Sequence, residues 1–162
     1  MTVVSATPDT QSLSLTIVTE FAATPERVWQ LWSDPRQLER WWGPPTWPAT
    51  FTELDLRPGG RAAYYMTGPE GEKAAGWWEF HTVQAPSSLA FDDGFADEDG
   101  TPSEQMPVTR AEVGIEPTGS GSRMTIVSRF ADAAQMRQLV EMGMVEGMSE
   151  ALGQIDALLA EG

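Results

Sequence analysis

Few residues of this chain could carry covalent or metal chemistry. The sequence contains one histidine, His81, and no cysteine. A disulfide, a thiolate nucleophile and a site with several histidine ligands are therefore excluded. A Ser-His-Asp arrangement would depend on His81, and the chain has no Gly-x-Ser-x-Gly turn before a helix to position the serine. We predict no catalytic residue, no metal site and no cofactor, and we expect His81 to be a surface residue at a strand end.

An acidic stretch over residues 92–100 invites a calcium-binding interpretation. If Gly100 took the sixth position of an EF-hand loop, Phe95 would occupy the first position and Met106 the twelfth. Both of those positions need a carboxylate ligand, so the EF-hand is rejected. A solvated hairpin loop is favoured over a weaker carboxylate site.

Aromatic residues are the other notable group, with seven tryptophans in 162 residues. Adjacent residues on a strand face opposite sides, so only one member of a Trp-Trp doublet on a strand can face the interior. Trp78 shares its face with Phe80, and this face is the more apolar one, so both should point inward. By the same alternation Tyr64 brings a hydroxyl group to an apolar wall, where it could orient a ligand. Ordinary core packing explains each aromatic nearly as well.

The element that must position these side chains is the C-terminal segment, residues 132–161. Its apolar residues recur with a period of 3.6 and predict one helix, roughly 40 Å long at 1.5 Å per residue. The apolar face carries methionines and glycines, which form either a roomy pocket wall or ordinary core. Arg137 and Glu141 are four residues apart and could pair as a polar gate, or could simply overhang into solvent.

The remainder of the chain supplies the surface that covers this helix. Thr24 and Pro25 carry the N-cap and first-turn signals of one helix. A second short helix follows through Trp41 and Trp42 and is closed by Gly43. Apolar alternation and turn residues then predict seven strands. These strands cover residues 13–21, 50–56, 61–67, 74–83, 89–95, 107–116 and 123–130. The result is an α+β fold in which a curved seven-stranded antiparallel sheet wraps around the long C-terminal helix. We expect a flexible N-terminus at 1–11 and a single domain at 12–162.

Charge and hydropathy limit the partners. The chain carries 24 acidic and 10 basic residues, a formal net charge of −14. Such a charge repels phosphate backbones, so we predict no nucleic-acid binding. The sequence shows no signal peptide and no apolar run near the ~20 residues of a membrane span, so we expect a cytoplasmic protein without membrane contact.

Several motifs resemble a known family. These are Ala23-Thr24-Pro25, Trp41-Trp42-Gly43-Pro44, Arg57-Pro58-Gly59-Gly60, the Gly68–Gly71 turn and, in the terminal helix, Gly147 with Ala151-Leu152. Together they resemble the START-like (SRPBCC) superfamily and, more narrowly, the homologues of the activator of the heat-shock protein 90 ATPase. The resemblance covers roughly residues 12–160. It implies a helix-grip fold with a cavity between sheet and helix, and it leaves function open, because such domains bind lipids or hormones, cyclise substrates or assist chaperones.

With a cavity implied, the favoured function is non-enzymatic binding of a small hydrophobic or aromatic molecule by a monomer or homodimer. The predicted cavity residues are Trp32, Trp41, Tyr64, Met66, Trp78, Phe80, Phe91, Phe95, Arg137, Met144 and Met148. One alternative is a module that binds a protein partner such as a chaperone, which predicts a closed interior and an exposed apolar patch. Another is a cyclase-like enzyme, which requires an ionisable cavity residue with a hydrogen-bonded partner.

Overall fold

A computed structural model describes residues 3–97, 99–104 and 106–161 of the chain. It contains one eight-stranded antiparallel sheet together with five helices within these ranges. The predicted α+β helix-grip fold is confirmed, with a difference in the number of strands. The strands are β1 (Val3–Asp9), β2 (Ser14–Phe21), β3 (Ala49–Leu54), β4 (Arg61–Thr67), β5 (Lys73–Gln84), β6 (Ser88–Ala96), β7 (Thr109–Thr118) and β8 (Gly121–Arg129).

The sheet has the spatial order β1-β2-β8-β7-β6-β5-β4-β3. Strands β3 to β8 follow one another as hairpins, so most pairings join neighbours in sequence. The exception is β2, which pairs with β8 across about a hundred residues, for example Ile17 with Ile126. The two helices that follow β2 carry the chain from one side of the sheet to the opposite edge, where β3 begins.

The additional strand, β1, lies where we predicted a flexible N-terminus. It pairs with β2, and the Asp9 carboxylate accepts hydrogen bonds from the backbone N–H of Gln11 at 2.9 Å and of Ser12 at 3.3 Å. This edge strand is mostly exposed, so backbone pairing rather than an apolar face holds it. Its sequence therefore lacks the alternation that reveals the other strands. Residues 1 and 2 lie outside the described residues.

Two helices follow β2: α1 (Pro25–Ser33) and α2 (Pro35–Trp41). As predicted, the Thr24 side chain caps α1 by accepting from the Arg27 N–H at 3.2 Å, with Pro25 at the start of the helix. Asp34 caps α2 in the same way through the Arg36 N–H at 3.0 Å. These caps fix the direction of both helices, whose apolar sides are buried in the core.

The C-terminal segment is not the single helix that we predicted. It forms α3 (Ala133–Glu141), α4 (Met144–Gly153) and α5 (Ile155–Ala160). The main break occurs at Gly143, whose φ of 93° belongs to the left-handed region and cannot continue a helix. The segment nevertheless covers the sheet, because Met136, Leu152 and Ile155 are buried in the core. Within the described residues, no helix is both long enough and apolar enough to cross a membrane.

Candidate functional site: a cavity between the sheet and the C-terminal helices

A cavity of about 300 Å³ lies between the sheet and the break that separates α3 from α4. Strands β4 and β6 form one side, and α3 and α4 form the other. Met142, at the break, is 56% exposed and marks the mouth. The lining residues are Trp42, Gly43, Pro44, Tyr64, Met66, Asp93, Gly94, Phe95, Thr109, Leu139, Met142, Gly143, Met144, Gly147, Met148 and Ala151.

The helical wall of the cavity is adaptable. Met144 and Met148 line it, and their unbranched side chains can adopt several shapes around a guest. Gly147 lies between them, and a Cβ atom added there would meet no atom within 4 Å. The space is therefore a consequence of a missing side chain as well as of the break at Gly143.

The sheet side rests on a rigid aromatic cluster. Trp78 lies at its centre, stacked on Phe91 with ring centroids 4.3 Å apart and edge-on to Trp42 at 4.8 Å. Trp32 packs edge-on against Trp41 in the same cluster, again at 4.8 Å. Such aromatic pairs add about 1 kcal/mol each to the stability gained from burial alone. The cluster holds the strand side in one shape while the methionine side can adjust.

One polar pair interrupts this apolar lining. The Tyr64 hydroxyl on β4 donates a hydrogen bond of 3.0 Å to the Asp93 carboxylate on β6. The intervening strand β5 places Gly76 opposite Tyr64. A Cβ atom at Gly76 would overlap the Tyr64 ring, so the glycine allows the ring to lie across β5 and reach Asp93.

Burial controls the ionisation of this pair. Removal from water raises the pKa of Asp93 to about 7, and the hydrogen bond from Tyr64 opposes part of that rise. Burial and the neighbouring Asp93 charge raise the pKa of Tyr64 well above its usual value. Tyr64 therefore remains a protonated donor at physiological pH, whereas Asp93 changes charge near neutrality.

Two indole N–H groups beside the pair are buried without a hydrogen-bond partner, those of Trp42 and Trp78. Each acts electrostatically on a neighbour without reaching hydrogen-bond geometry: Trp42 lowers the pKa of Tyr64, and Trp78 lowers that of Asp93. Buried donors of this kind are normally satisfied. Trp42 also lines the cavity, although its indole nitrogen is itself buried.

The structure separates the predicted cavity residues into two groups. Tyr64, Met66, Phe95, Met144 and Met148 line the cavity. The others lie outside its lining: Trp32, Trp41, Trp78, Phe80 and Phe91 are fully buried in the core beneath it, and Arg137 is exposed on α3. The predicted alternation on β5 is correct, since Trp78 and Phe80 both face inward. Whether an inward-facing side chain lies in the core or lines the cavity depends on its position along the strand. The alternation of apolar residues shows only which face of the sheet a side chain occupies.

Sequence reasoning missed Asp93 and Trp42 as site residues. A signal for Asp93 was present, because it shares strand parity with Phe91 and Phe95 on an inward face. Its acidic neighbours obscured that signal, because Asp92 lies on the opposite face of β6 and Asp97 lies in solvent beyond the end of the strand. Trp42 follows the end of α2, where no periodicity indicates its direction.

His81 lies on the outer face of the sheet, about a third exposed, as a surface residue. Its Nε2 atom is 2.9 Å from the Asp92 carboxylate, which also accepts a hydrogen bond of 2.7 Å from Arg110. Burial acts to raise the pKa of Asp92, but the hydrogen bonds from Arg110 and His81 hold it below its usual value. Among the described residues, which exclude Glu98 of the acidic stretch, no group of three or more histidines and carboxylates could hold a metal ion.

Comparison with known proteins identifies the class. The family model described as "Activator of Hsp90 ATPase homolog 1-like protein" matches residues 22–160. The chain therefore belongs to this family, as its motifs indicated. No functionally curated protein matches the chain.

Solved structures agree with this membership. A protein from Arthrobacter aurescens, determined by solution NMR, shares 58% identity at a TM-score of 0.95, covering 99% of this chain and 94% of that one. The crystal structure of Ms6760 from Mycobacterium smegmatis shares 50% identity at a TM-score of 0.90, covering 97% and 96%. An AHSA1 protein from Silicibacter pomeroyi shares 26% at a TM-score of 0.72, covering 91% and 97%.

Proposed function

We propose that this domain binds a small, mostly apolar molecule in the cavity between the sheet and the C-terminal helices. The observation that carries the proposal is the lining itself: flexible methionines on one side, rigid aromatics on the other, and the hydrogen-bonded Tyr64–Asp93 pair between them. Ligand sites typically combine an apolar wall with a few polar groups that fix orientation.

The size of the cavity sets the expected affinity. Burying about 200 Å² of apolar ligand surface at about 25 cal/mol per Å² contributes about 5 kcal/mol. Part of this is offset by immobilising the ligand. Since about 4 kcal/mol corresponds to a dissociation constant of about 1 mM, a fragment-sized guest should bind in the sub-millimolar to millimolar range, which is accessible to ligand-observed NMR and to calorimetry at high protein concentration.

The test uses two glycines of the same helix. Gly147→Leu projects a side chain into the cavity, whereas Gly153→Leu adds the same atoms at an exposed position outside the lining. Neither glycine has an atom within 4 Å of an added Cβ, so both variants should fold. We expect displacement of a hydrophobic fluorescent dye by apolar fragments with the wild type and Gly153→Leu, and loss of dye binding with Gly147→Leu.

Equal dye binding by all three proteins would place the dye elsewhere and contradict the proposal. An absence of binding by the wild type, in both the dye assay and native mass spectrometry with a fragment panel, would also contradict it.

A chaperone-type interaction module has less support. That hypothesis requires a closed interior and an exposed apolar patch on the outer sheet face. Among the described residues the large hydrophobic side chains that are exposed are Val4, Val108 and Met142, which belong to β1, the segment before β7 and the cavity mouth. The interior, in turn, contains the cavity.

An acid–base enzyme of the cyclase type is the second candidate, and one observation favours it. The Asp93 carboxyl, hydrogen-bonded to Tyr64, is the ionisable cavity group that such an enzyme needs, and its pKa of about 7 suits proton transfer at neutral pH. A base at this position should catalyse deuterium exchange at the carbon next to the carbonyl of an aromatic ketone in D₂O. Exchange that is no faster than in buffer, or that is equal in Asp93→Asn, would eliminate this candidate.

A further inference from the structure

We infer that the preferred guest of this cavity is an apolar amine, whose ammonium group pairs with the Asp93 carboxylate. The inference rests on the proposed function, since it names the chemical class that the same cavity selects.

The charge of the cavity lining is unbalanced. Among the residues that the structure describes, Asp93 is the one acidic side chain in the lining, and no lysine, arginine or histidine lines the cavity with it. A carboxylate removed from water without a cation is costly, and a partner of opposite charge relieves that cost. Within the described residues this carboxylate receives a hydrogen bond from Tyr64 but has no neighbouring positive charge. A cationic guest would supply it.

The surrounding dipoles are directed at this carboxylate. Tyr64 donates its hydroxyl proton to Asp93 at 3.0 Å, and the buried N–H group of Trp78 also acts on this carboxyl to favour the ionised form. Donors directed at a carboxyl group stabilise its charged state. These donors offset only part of the cost of burying the ionised carboxyl, and a cationic guest would offset more of it.

An aromatic surface lies beside the carboxylate. The side chains of Trp42, Tyr64 and Phe95 all line the cavity. Aromatic faces attract ammonium groups through their ring quadrupoles, most strongly where water is excluded. At long range, the net charge of −14 raises the local concentration of cations over anions.

The inference also fixes the pH dependence. An ammonium group needs the ionised carboxylate, whereas an alcohol or ketone gains most from the protonated acid. Since the pKa of Asp93 is about 7, amine binding should strengthen as pH rises from 6 to 8. Of the described lining residues, Tyr64 is the other titratable one, and its raised pKa keeps it neutral over this range.

The experiment compares two guests that share a carbon skeleton, 3-phenylpropylamine and 3-phenylpropan-1-ol, by isothermal titration calorimetry at pH 6 and pH 8. We expect the amine to bind about tenfold more tightly than the alcohol at pH 8. We also expect amine affinity to rise by up to about tenfold between the two pH values, because the ionised fraction of one carboxyl rises by that factor. Asp93→Asn should abolish both the preference for the amine and the pH dependence of amine binding, and it should leave alcohol binding unchanged. The control Asp99→Asn removes the same charge from an exposed loop and should change neither the amine preference nor its pH dependence.

Alcohol binding that equals or exceeds amine binding in the wild type would overturn the amine inference and leave the proposed function intact. An amine preference that survives in Asp93→Asn would overturn it as well. If neither guest binds, the inference fails, and the dye-displacement assay decides separately on the proposed function. The wild-type comparison is decisive by itself, so the result does not depend on the folding of the variant.

Discussion

Replacing Asp93 with asparagine should make the domain relatively more stable as pH rises. In the folded protein burial raises the pKa of Asp93 from 3.8 to about 7. Between these two values the folded carboxyl retains a proton that the unfolded chain has released. Folding stability therefore falls with increasing pH over that window and levels off above about pH 7. Asparagine cannot ionise, so the variant lacks this loss.

The magnitude follows from the same pKa. One pKa unit corresponds to 1.36 kcal/mol, so between pH 5 and pH 7 the wild type should lose up to about 2.7 kcal/mol relative to the variant. The Asp93 side chain is half-buried and borders the cavity, so solvent there reduces the effect. With that reduction we expect a relative change of about 1–2.5 kcal/mol between pH 5 and pH 8.

The assay is urea denaturation of both proteins at pH 5, 6, 7 and 8, followed by tryptophan fluorescence. The difference in unfolding free energy between wild type and variant at each pH cancels the contributions of the other titrating groups. Asp99→Asn is the matched control, because Asp99 is exposed and a hydrogen bond from the Thr101 backbone lowers its pKa. Its titration is complete below pH 5, so its effect on stability should be constant.

A free-energy difference for Asp93→Asn that stays constant within about 0.5 kcal/mol from pH 5 to pH 8 would refute the reasoning. It would mean that water reaches Asp93 well enough to keep its pKa near the unfolded value. The case for an unbalanced buried carboxylate would then be lost as well.

Two further predictions concern glycines, each measured by chemical denaturation. Gly76→Ala should destabilise the protein by about 1–3 kcal/mol, because the added Cβ would displace the Tyr64 ring. The control Gly114→Ala on β7 adds its Cβ to open space and should leave stability unchanged within about 0.5 kcal/mol. Equal effects of the two substitutions would show that Gly76 is not needed for the ring position. Gly143→Ala should lower the free energy of unfolding by about 1 kcal/mol, because the φ angle at Gly143 is left-handed. Gly153→Ala, which adds its Cβ to open space within a helix, should raise the free energy of unfolding by about 0.5–1 kcal/mol. Stabilisation of the protein by Gly143→Ala would contradict our account of the helix break.

Local sequence signals predicted much of the fold. The alternation on β5 correctly assigned Trp78 and Phe80 to the interior, and Thr24 with Pro25 correctly marked the start of α1. Such predictions succeed because the period of a strand and the hydrogen bonds of a helix cap involve residues only a few positions apart. Family motifs then supplied the overall architecture.

The break in the C-terminal segment shows where local signals fail. The 3.6-residue apolar periodicity continues through residues 132–161, but this periodicity indicates only which face of a helix each residue occupies. A single backbone angle at Gly143 ends one helix and begins another without changing that pattern. The predicted continuous helix was wrong for this reason, and the same break forms one wall of the cavity.

By itself, the sequence determined seven of the eight described strands, the start of α1, the inward aromatic face of β5 and the family to which the chain belongs. Only the tertiary structure decided which of those aromatics line a cavity and which lie beneath it. It also decided that Asp93 forms a hydrogen bond with Tyr64, 29 residues away. The Tyr64 ring crosses strand β5 at Gly76, where a Cβ atom would overlap it. The physical reason is that the charge state of a carboxyl depends on its solvent and its neighbours in space, and neither is a property of nearby sequence.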